Sequence, residues 1–157
     1  MQIQVDTREH KQEYDRITKQ FEDMGVSFFK SKLFVGDYTL VDHPRVVIDR
    51  KQTLGELCSN VCQQHERFRA ELLRAREHGF KIIVLCEHGE GINSLEDVFF
   101  WENPRRVVSP KATNGDALYR SLCTIRDRYG VDFVFCEPEE TGKKIVEVLE
   151  EWQTKDL

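Results

Sequence analysis

Apolar and polar positions along the chain follow two periods, and the switches between them mark out a series of short elements. Residues 2–5 set Ile3 and Val5 on one face, as a short strand does, and a charged stretch over 9–24 carries Tyr14, Ile17 and Phe21 at helical spacing. Gly25 closes that helix. Two β-type runs follow, 27–30 and 33–40, then a turn at Asp42-His43-Pro44 and a strand over 45–51 rich in β-branched residues. The second run and this strand form a hairpin with a short polar loop. Thr53 with Glu56 three residues on has the form of a capping box; it opens a helical region that continues as a longer helix over 63–78 and stops at Gly79. The run Ile-Ile-Val-Leu-Cys within 81–87 predicts a strand covered on both faces, and 131–136 predicts another. A helix over 115–129 lies between them, a last helix spans 139–152, and 89–114 holds a short helix near 95–101 and a polar loop. No repeat or linker divides the chain, so residues 1–157 read as a single α/β domain with a mixed central sheet.

Composition narrows the possibilities. No apolar run approaches the roughly 20 residues that span a bilayer, which excludes membrane insertion. The N-terminus runs straight into a strand with no basic leader or long apolar segment, so no secretory signal is expected. Cys58, Cys62, Cys86, Cys123 and Cys136 are odd in number and three of them sit in apolar stretches, which predicts free thiols in a reducing, intracellular protein. Cys58, Cys62 and His65 share one face of the predicted helix, but a fourth zinc ligand at suitable spacing is absent and the bland helix-face reading is preferred. The net charge of -5 is unevenly placed: residues 1–130 hold 20 basic and 20 acidic side chains, whereas residues 131–157 hold 3 and 8. A basic face for a polyanion is therefore compatible with an acidic total, and Arg67, Arg69, Arg74 and Arg76, followed by Arg105, Arg106 and Lys111, are candidates for it or for an ordinary solvated surface.

The hairpin carries the candidate chemistry. If Leu40 pairs with Val46, an antiparallel register sets Tyr38 opposite Ile48 and Asp37 opposite Asp49. Tyr38, Leu40, Val46 and Ile48 then form an apolar layer, while Asp37, Asp49 and Lys51 share the other face. Two like charges directly opposed are destabilising unless something compensates them. A divalent cation does so, and two carboxylates with waters and phosphate oxygens suit Mg²⁺. The competing reading is a solvent-facing hairpin with an ordinary charge pair. Asp6, at the C-terminal end of the first strand, adds a third acid where open α/β sheets bind ligands.

The three segments Val5-Asp6-Thr7-Arg8-Glu9, Gly36-Asp37-Tyr38 and Ile48-Asp49-Arg50-Lys51, with Arg67-Phe68 further on, resemble the nuclease domain of the XPF, Mus and Hef family in the same order. The resemblance implies a restriction-endonuclease-like three-layer α/β/α fold and a Mg²⁺- or Mn²⁺-dependent endonuclease that cuts branched or flap DNA in repair or recombination, with no small-molecule cofactor. It implies that Asp37 and Asp49 hold the metal with the carbonyl of Arg50, that Lys51 assists the attacking water, and that Asp6 is an accessory catalytic acid. Arg8, Glu9, Arg50 and Arg67 are implied to bind DNA or support the site, Arg8 by holding a phosphate or by pairing with an acid. Two positions depart from the family pattern: its glutamate is Asp49, and its last aspartate falls at Gly55, with Glu56 beside it. The family's helix-hairpin-helix module does not follow, so a stand-alone version of phage or bacterial type is expected. Relatives pair through this domain, which implies a homodimer, with Val146, Leu149 and Trp152 either at its interface or in the core. A catalytically inactive nuclease fold that binds or scaffolds DNA is the alternative.

Overall fold

Two antiparallel junctions set between parallel ones give the sheet its mixed character. The computed structural model describes residues 1–155, and its six strands lie in the order β2-β1-β3-β4-β5-β6. β1 (Gln2–Val5) is parallel to β2 (Ser27–Lys30) and antiparallel to β3 (Tyr38–Leu40); β3 is antiparallel to β4 (His43–Lys51); β5 (Lys81–Cys86) and β6 (Asp132–Phe135) continue parallel to β4. Strand alternation then builds two cores. Ile3, Val5, Tyr38, Leu40, Val46, Ile48, Ile83 and Leu85 face one way, against Ile17 and Phe21 of α1 (Lys11–Asp23) and Ile145 and Leu149 of α5 (Thr141–Gln153). Val47, Ile82, Val84 and Cys86 face the other way, against α2 (Leu54–Cys58), α3 (His65–Glu77) and α4 (Gly115–Tyr129). The apolar layer expected of the hairpin, Tyr38 through Ile48, is the inner face of the first core, and β5 is buried throughout. The result is a three-layer α/β/α fold.

Val146 and Leu149, offered as possible interface residues, are buried inside that core, and Trp152 is half-buried beneath Lys81 and Lys155. The apolar stripe of the last helix is consumed by its own sheet.

Three predicted elements differ in the structure, each for a local reason. The run 33–40 is strand only from Tyr38 onward, because Gly36 takes φ +78° and turns the chain into the hairpin. The register Tyr38↔Ile48 holds, but Leu40 pairs with His43 instead of Val46. A bulge between Thr39 and Leu40 absorbs the extra residues, and the Thr39 hydroxyl donates to the Val46 carbonyl at 2.6 Å. The helix over 63–78 begins later, at His65, after a π-helical turn over Ser59–Gln63. Cys58, Cys62 and His65 therefore do not share one regular helix, and the Cys58 and Cys62 sulfurs lie 4.0 Å apart. The Thr53–Glu56 cap forms as predicted: Glu56 N–H donates to Thr53 Oγ1 at 3.1 Å and its carboxylate accepts from Gln52 N–H at 2.8 Å. In the long loop, Asn103 caps a short 3-10 turn over Pro104–Val107 that the sequence pattern does not signal.

Gly36 is tightly constrained. A Cβ there would stand 2.9 Å from Val47 Cβ and 3.2 Å from the Ile48 carbonyl oxygen, on backbone that L-residues avoid. Gly36→Ala adds left-handed strain of about 1–2 kcal/mol to an overpacking cost of about 1–3 kcal/mol. Urea denaturation is expected to show a loss of about 2–5 kcal/mol; a loss under about 1 kcal/mol would mean that the turn relaxes freely.

Candidate active site

The turn at Gly36 delivers Asp37 to the end of β4. Asp37 N–H donates to the Ile48 carbonyl at 2.8 Å, its own carbonyl accepts from Asp6 N–H at 2.8 Å, and its Oδ2 accepts from Arg50 N–H at 2.8 Å. Three bonds thus fix a carboxyl group beside Asp49, which alternation on β4 turns away from Ile48 and towards the same side as Lys51. Lys51 Nζ stands 3.4 Å from Asp49 Oδ2, with both side chains mostly buried. Burial pushes the Asp37 carboxyl well above the usual carboxylate range, and the charge of Asp49, within hydrogen-bonding reach, pushes it further. Burial disfavours the Lys51 ammonium, but Asp49, Glu56 and Asp37 outweigh that and hold its pKa above the ordinary lysine value.

The donor chemistry of this cluster fits a hard divalent cation. Its free atoms are carboxylate and carbonyl oxygens, and two carboxylates repel unless a proton or a cation lies between them. Among the described residues no three His, Cys, Asp or Glu side chains form a ready-made metal cage. A two-carboxylate site is what Mg²⁺ accepts, since it retains several waters.

The remaining expected residues divide into two groups. Asp6 is fully buried; its Oδ1 accepts from Leu33 N–H at 2.7 Å and its Oδ2 accepts from Arg8 N–H and Nε at 3.1 and 2.6 Å. Oδ1 therefore clamps the segment that leads to Gly36, and Oδ2 holds Arg8. Arg8 pairs with an acid, the blander of its two roles, yet stays largely exposed on the rim. Arg67 is exposed and lines a cleft of about 270 Å³ with Lys51, Glu56, Asn60, Gln64 and Glu71, and a neighbouring one with Arg8 and Arg74. Glu9 and Arg50 point the other way, into the protein. Arg50 Nη2 meets Glu9 Oε1 at 2.7 Å and its Nη1 meets Glu87 Oε1 at 2.8 Å, with side-chain exposures of 7%, 5% and 2%. The Arg50 side chain bonds Glu9 and Glu87 from within and does not line the cleft, because alternation on β4 carries it to the face opposite Asp49 and Lys51.

Two acids that support the site, Glu87 and Glu71, carry no motif in the sequence, and Tyr38 of the second motif joins the same network. Glu87 anchors Arg50 and also takes two bonds from Arg16 at 2.8 and 3.0 Å, and a bond from the Thr141 hydroxyl. The Tyr38 hydroxyl donates to Glu9 Oε2 at 2.8 Å. Glu71 of α3 faces the cleft; burial raises its pKa, Asp49 adds to the rise, and Lys51, Arg74 and Arg8 oppose it. Its spacing, with Arg67 four residues before and Arg74 three after, was the available signal.

Residues 5–148 match the model of the ERCC4 domain. The chain belongs to the ERCC4 domain family. That places it among nuclease domains. Two solved structures share the fold of this ERCC4 domain. XPF from Aeropyrum pernix is 20% identical with a TM-score of 0.67, over 99% of this chain and 63% of that one. The same protein in complex with DNA is 20% identical with a TM-score of 0.68, over 99% and 68%. The chain thus spans about two thirds of the length of these relatives. No curated protein matches it. Among the described residues, no helix of the ERCC4 domain is long and apolar enough to cross a membrane.

The electrostatics generate two expectations. In Asp37→Asn the repulsion with Asp49 disappears while the bond from Arg50 N–H can persist, so in EDTA at neutral pH the variant melts higher than the parent, by roughly 2–4 °C per kcal/mol relieved. The sign follows from the raised pKa: the native state holds the Asp37 proton more tightly than the unfolded chain, so stability falls as pH rises through the raised value. Added Mg²⁺ should raise the melting temperature of the parent and not of the variant; equal shifts in both would dissociate Asp37 from metal binding. Arg50→Ala leaves Glu9 and Glu87 buried without their cation and should cost about 3–5 kcal/mol by denaturant unfolding. Arg50 and Tyr38 hold Glu9 below its ordinary pKa against burial, so the stabilisation from Glu9 is present above the glutamate range and lost as pH falls through the depressed value. In the Arg50 variant that acid sensitivity should shrink.

Proposed function

We propose that this ERCC4 domain is a Mg²⁺- or Mn²⁺-dependent endodeoxyribonuclease that hydrolyses phosphodiester bonds in branched, flap or junction DNA, in repair or recombination. One observation carries the reading: Asp37 and Asp49 are held against each other at the open end of β4 with Lys51 at 3.4 Å. Asp37, Asp49 and the carbonyl of Arg50 are the residues that would hold the metal. Bound there, a divalent ion supplies positive charge at the scissile phosphate and acidifies water.

The chain's own groups do the rest. Lys51 is cationic and mostly buried, so its ammonium can orient the attacking water or neutralise charge that develops on the phosphate oxygens. Phe68, whose ring lies 5.7 Å from Lys51 Nζ, shields it from solvent on one side. Asp6 acts at one remove, by fixing the segment on which Asp37 rides. Arg8, Arg67 and Arg74, along the cleft beside the acid pair, can bind successive phosphates, so affinity falls steeply with salt and depends little on base sequence. A homodimer is part of the proposal; its interface would use surfaces other than the buried face of α5, and light scattering tests it.

The decisive measurement is cleavage of flap, fork and four-way-junction DNA with Mg²⁺ or with EDTA. Lys51→Ala should lower the cleavage rate by about 10²–10³ or more, as loss of one charge-stabilising group does, with melting changed by only a few degrees. A Lys51→Ala variant that cuts at the parental rate removes Lys51 from the chemistry. A folded parent that binds DNA and never cuts it favours an inactive, DNA-binding member.

A further inference from the structure

Among the described residues, the three most exposed large hydrophobic side chains, Phe100, Val107 and Val108, all lie in the segment between β5 and α4, beside cations that make no salt bridge there. Phe100 is 78% exposed, Val107 and Val108 are each 89% exposed, and Phe99 is 44% exposed. Core packing does not require them there, since Val98, Trp101 and Asn103 already anchor the segment. Asn103 Nδ2 donates to the Thr113 carbonyl at 2.8 Å and its Oδ1 accepts from Arg105 N–H at 3.1 Å, which ties the two ends of the loop together. The Phe99 ring meets both Phe100 and Tyr119 edge-on, at centroid distances of 5.1 and 6.0 Å, so Phe100 is propped outward on a fixed base. Residues 99–113 contain three cations, Arg105, Arg106 and Lys111, against one acid, Glu102, in a chain of net charge -5. None of the three cations is in a salt bridge among the described residues.

This surface belongs to the same end of the sheet as the acid pair. Glu87 N–H donates to the Lys51 carbonyl at 2.9 Å, the next residue, His88, accepts from Leu54 N–H at 3.0 Å, and its ring stands edge-on to Trp101. On the helical segment that follows Lys51, Asn60 lines the cleft with Lys51, while Cys58 and Val61 share a buried cluster with Leu95, Val98 and Trp101. That helical segment therefore lies between the cleft and the exposed one.

We infer that residues 99–111 form a second DNA-binding surface, one that takes unpaired, single-stranded DNA, with Phe100 stacking on a base, Val107 and Val108 bordering it, and Arg105, Arg106 and Lys111 on the phosphates. The two halves of the surface match the two halves of such a ligand. Aromatic faces bind bases with little regard to sequence, and cations follow the backbone. A base-paired duplex hides its base faces and offers only the second half. A protein partner would use the apolar residues and leave three cations without counterions. The inference rests on the nuclease reading only for its relation to the cleft, where it supplies a means of telling a branch from a continuous duplex.

The test uses the intact chain in EDTA and fluorescence anisotropy with a labelled oligothymidylate and a blunt duplex of equal length. Phe100→Ala should weaken oligothymidylate binding about tenfold and leave duplex binding within about twofold. Arg105→Ala with Arg106→Ala should reduce the slope of log K against log salt for the single strand by about 1.4, or about 0.7 for each phosphate no longer neutralised. These side chains are exposed, so unchanged circular dichroism melts are expected of the variants. Oligothymidylate binding that neither substitution moves would overturn the inference. So would a parent that light scattering finds self-associated and that Val107→Ser with Val108→Ser converts to a monomer without any change in DNA binding. Parallel cleavage assays with Mg²⁺ separate the two readings: the expected binding pattern without cleavage sinks the nuclease alone, and normal cleavage with unmoved binding sinks this surface alone.

Discussion

The guanidinium of Arg50, held between the buried carboxylates of Glu9 and Glu87, fixes the end of β4, and the open face of that strand is built on it. Successive residues of a strand point to opposite sides, so a rigidly held residue 50 also fixes residues 49 and 51. Each partner ties in a different element: Glu9 opens the segment before α1 and accepts from Tyr38 of β3, while Glu87 follows β5 and accepts from Arg16 of α1 and Thr141 of α5. One cation thus joins both sheet neighbours of β4 to both helices of one layer. Replacing such a cluster with apolar side chains can stabilise a protein, so its presence is weak evidence about stability. Its clearer consequence is positional, because it leaves the carboxylate of Asp49 and the ammonium of Lys51 little freedom to turn inward.

Much of this was legible in the sequence, and the exceptions have identifiable causes. Alternation in Tyr38, Leu40, Val46 and Ile48 gave the correct faces of the hairpin, and hence the convergence of Asp37, Asp49 and Lys51, even though the assumed Leu40–Val46 pair is broken by a bulge. The bulge inserts its residues on the turn side of Thr39–Val47, so the register towards Asp37 is untouched. Period alone cannot see it. The same limit applies to Arg50 and Glu87: a charged residue inside or just after an apolar strand reads as a surface position until tertiary contacts supply partners. Glu71 escapes a sequence reading because helical charges are usually solvated, and only the fold shows that this one faces Asp49. The exposed residues 99–108 read as short helix and loop, since a hydrophobic pattern predicts burial and is silent about apolar side chains that the core leaves out.

Charge placement reconciles an acidic protein with a polyanionic ligand. Most of the excess of acid lies in residues 131–155, on β6, α5 and the turn between them, whereas Arg8, Arg67 and Arg74 border the cleft at the end of β4. Screening beyond roughly 10 Å at moderate salt lets the two regions act nearly independently. The net charge then bears on solubility, and the local arrangement decides what is bound.

The acid pair itself bears on whether such a fold is a working enzyme or an inert scaffold. Burial and proximity both oppose ionisation at Asp37, a cost that an asparagine in its place would not carry. A scaffold gains nothing from that cost, because the structural bond from Arg50 N–H could be accepted equally by an asparagine. A hydrolase needs the repulsion, since the same field that strains two carboxylates attracts a divalent cation between them. Two carboxylates held together at the mouth of an otherwise well-satisfied sheet suit a divalent cation, and their arrangement is the physical ground on which the proposed catalytic role rests.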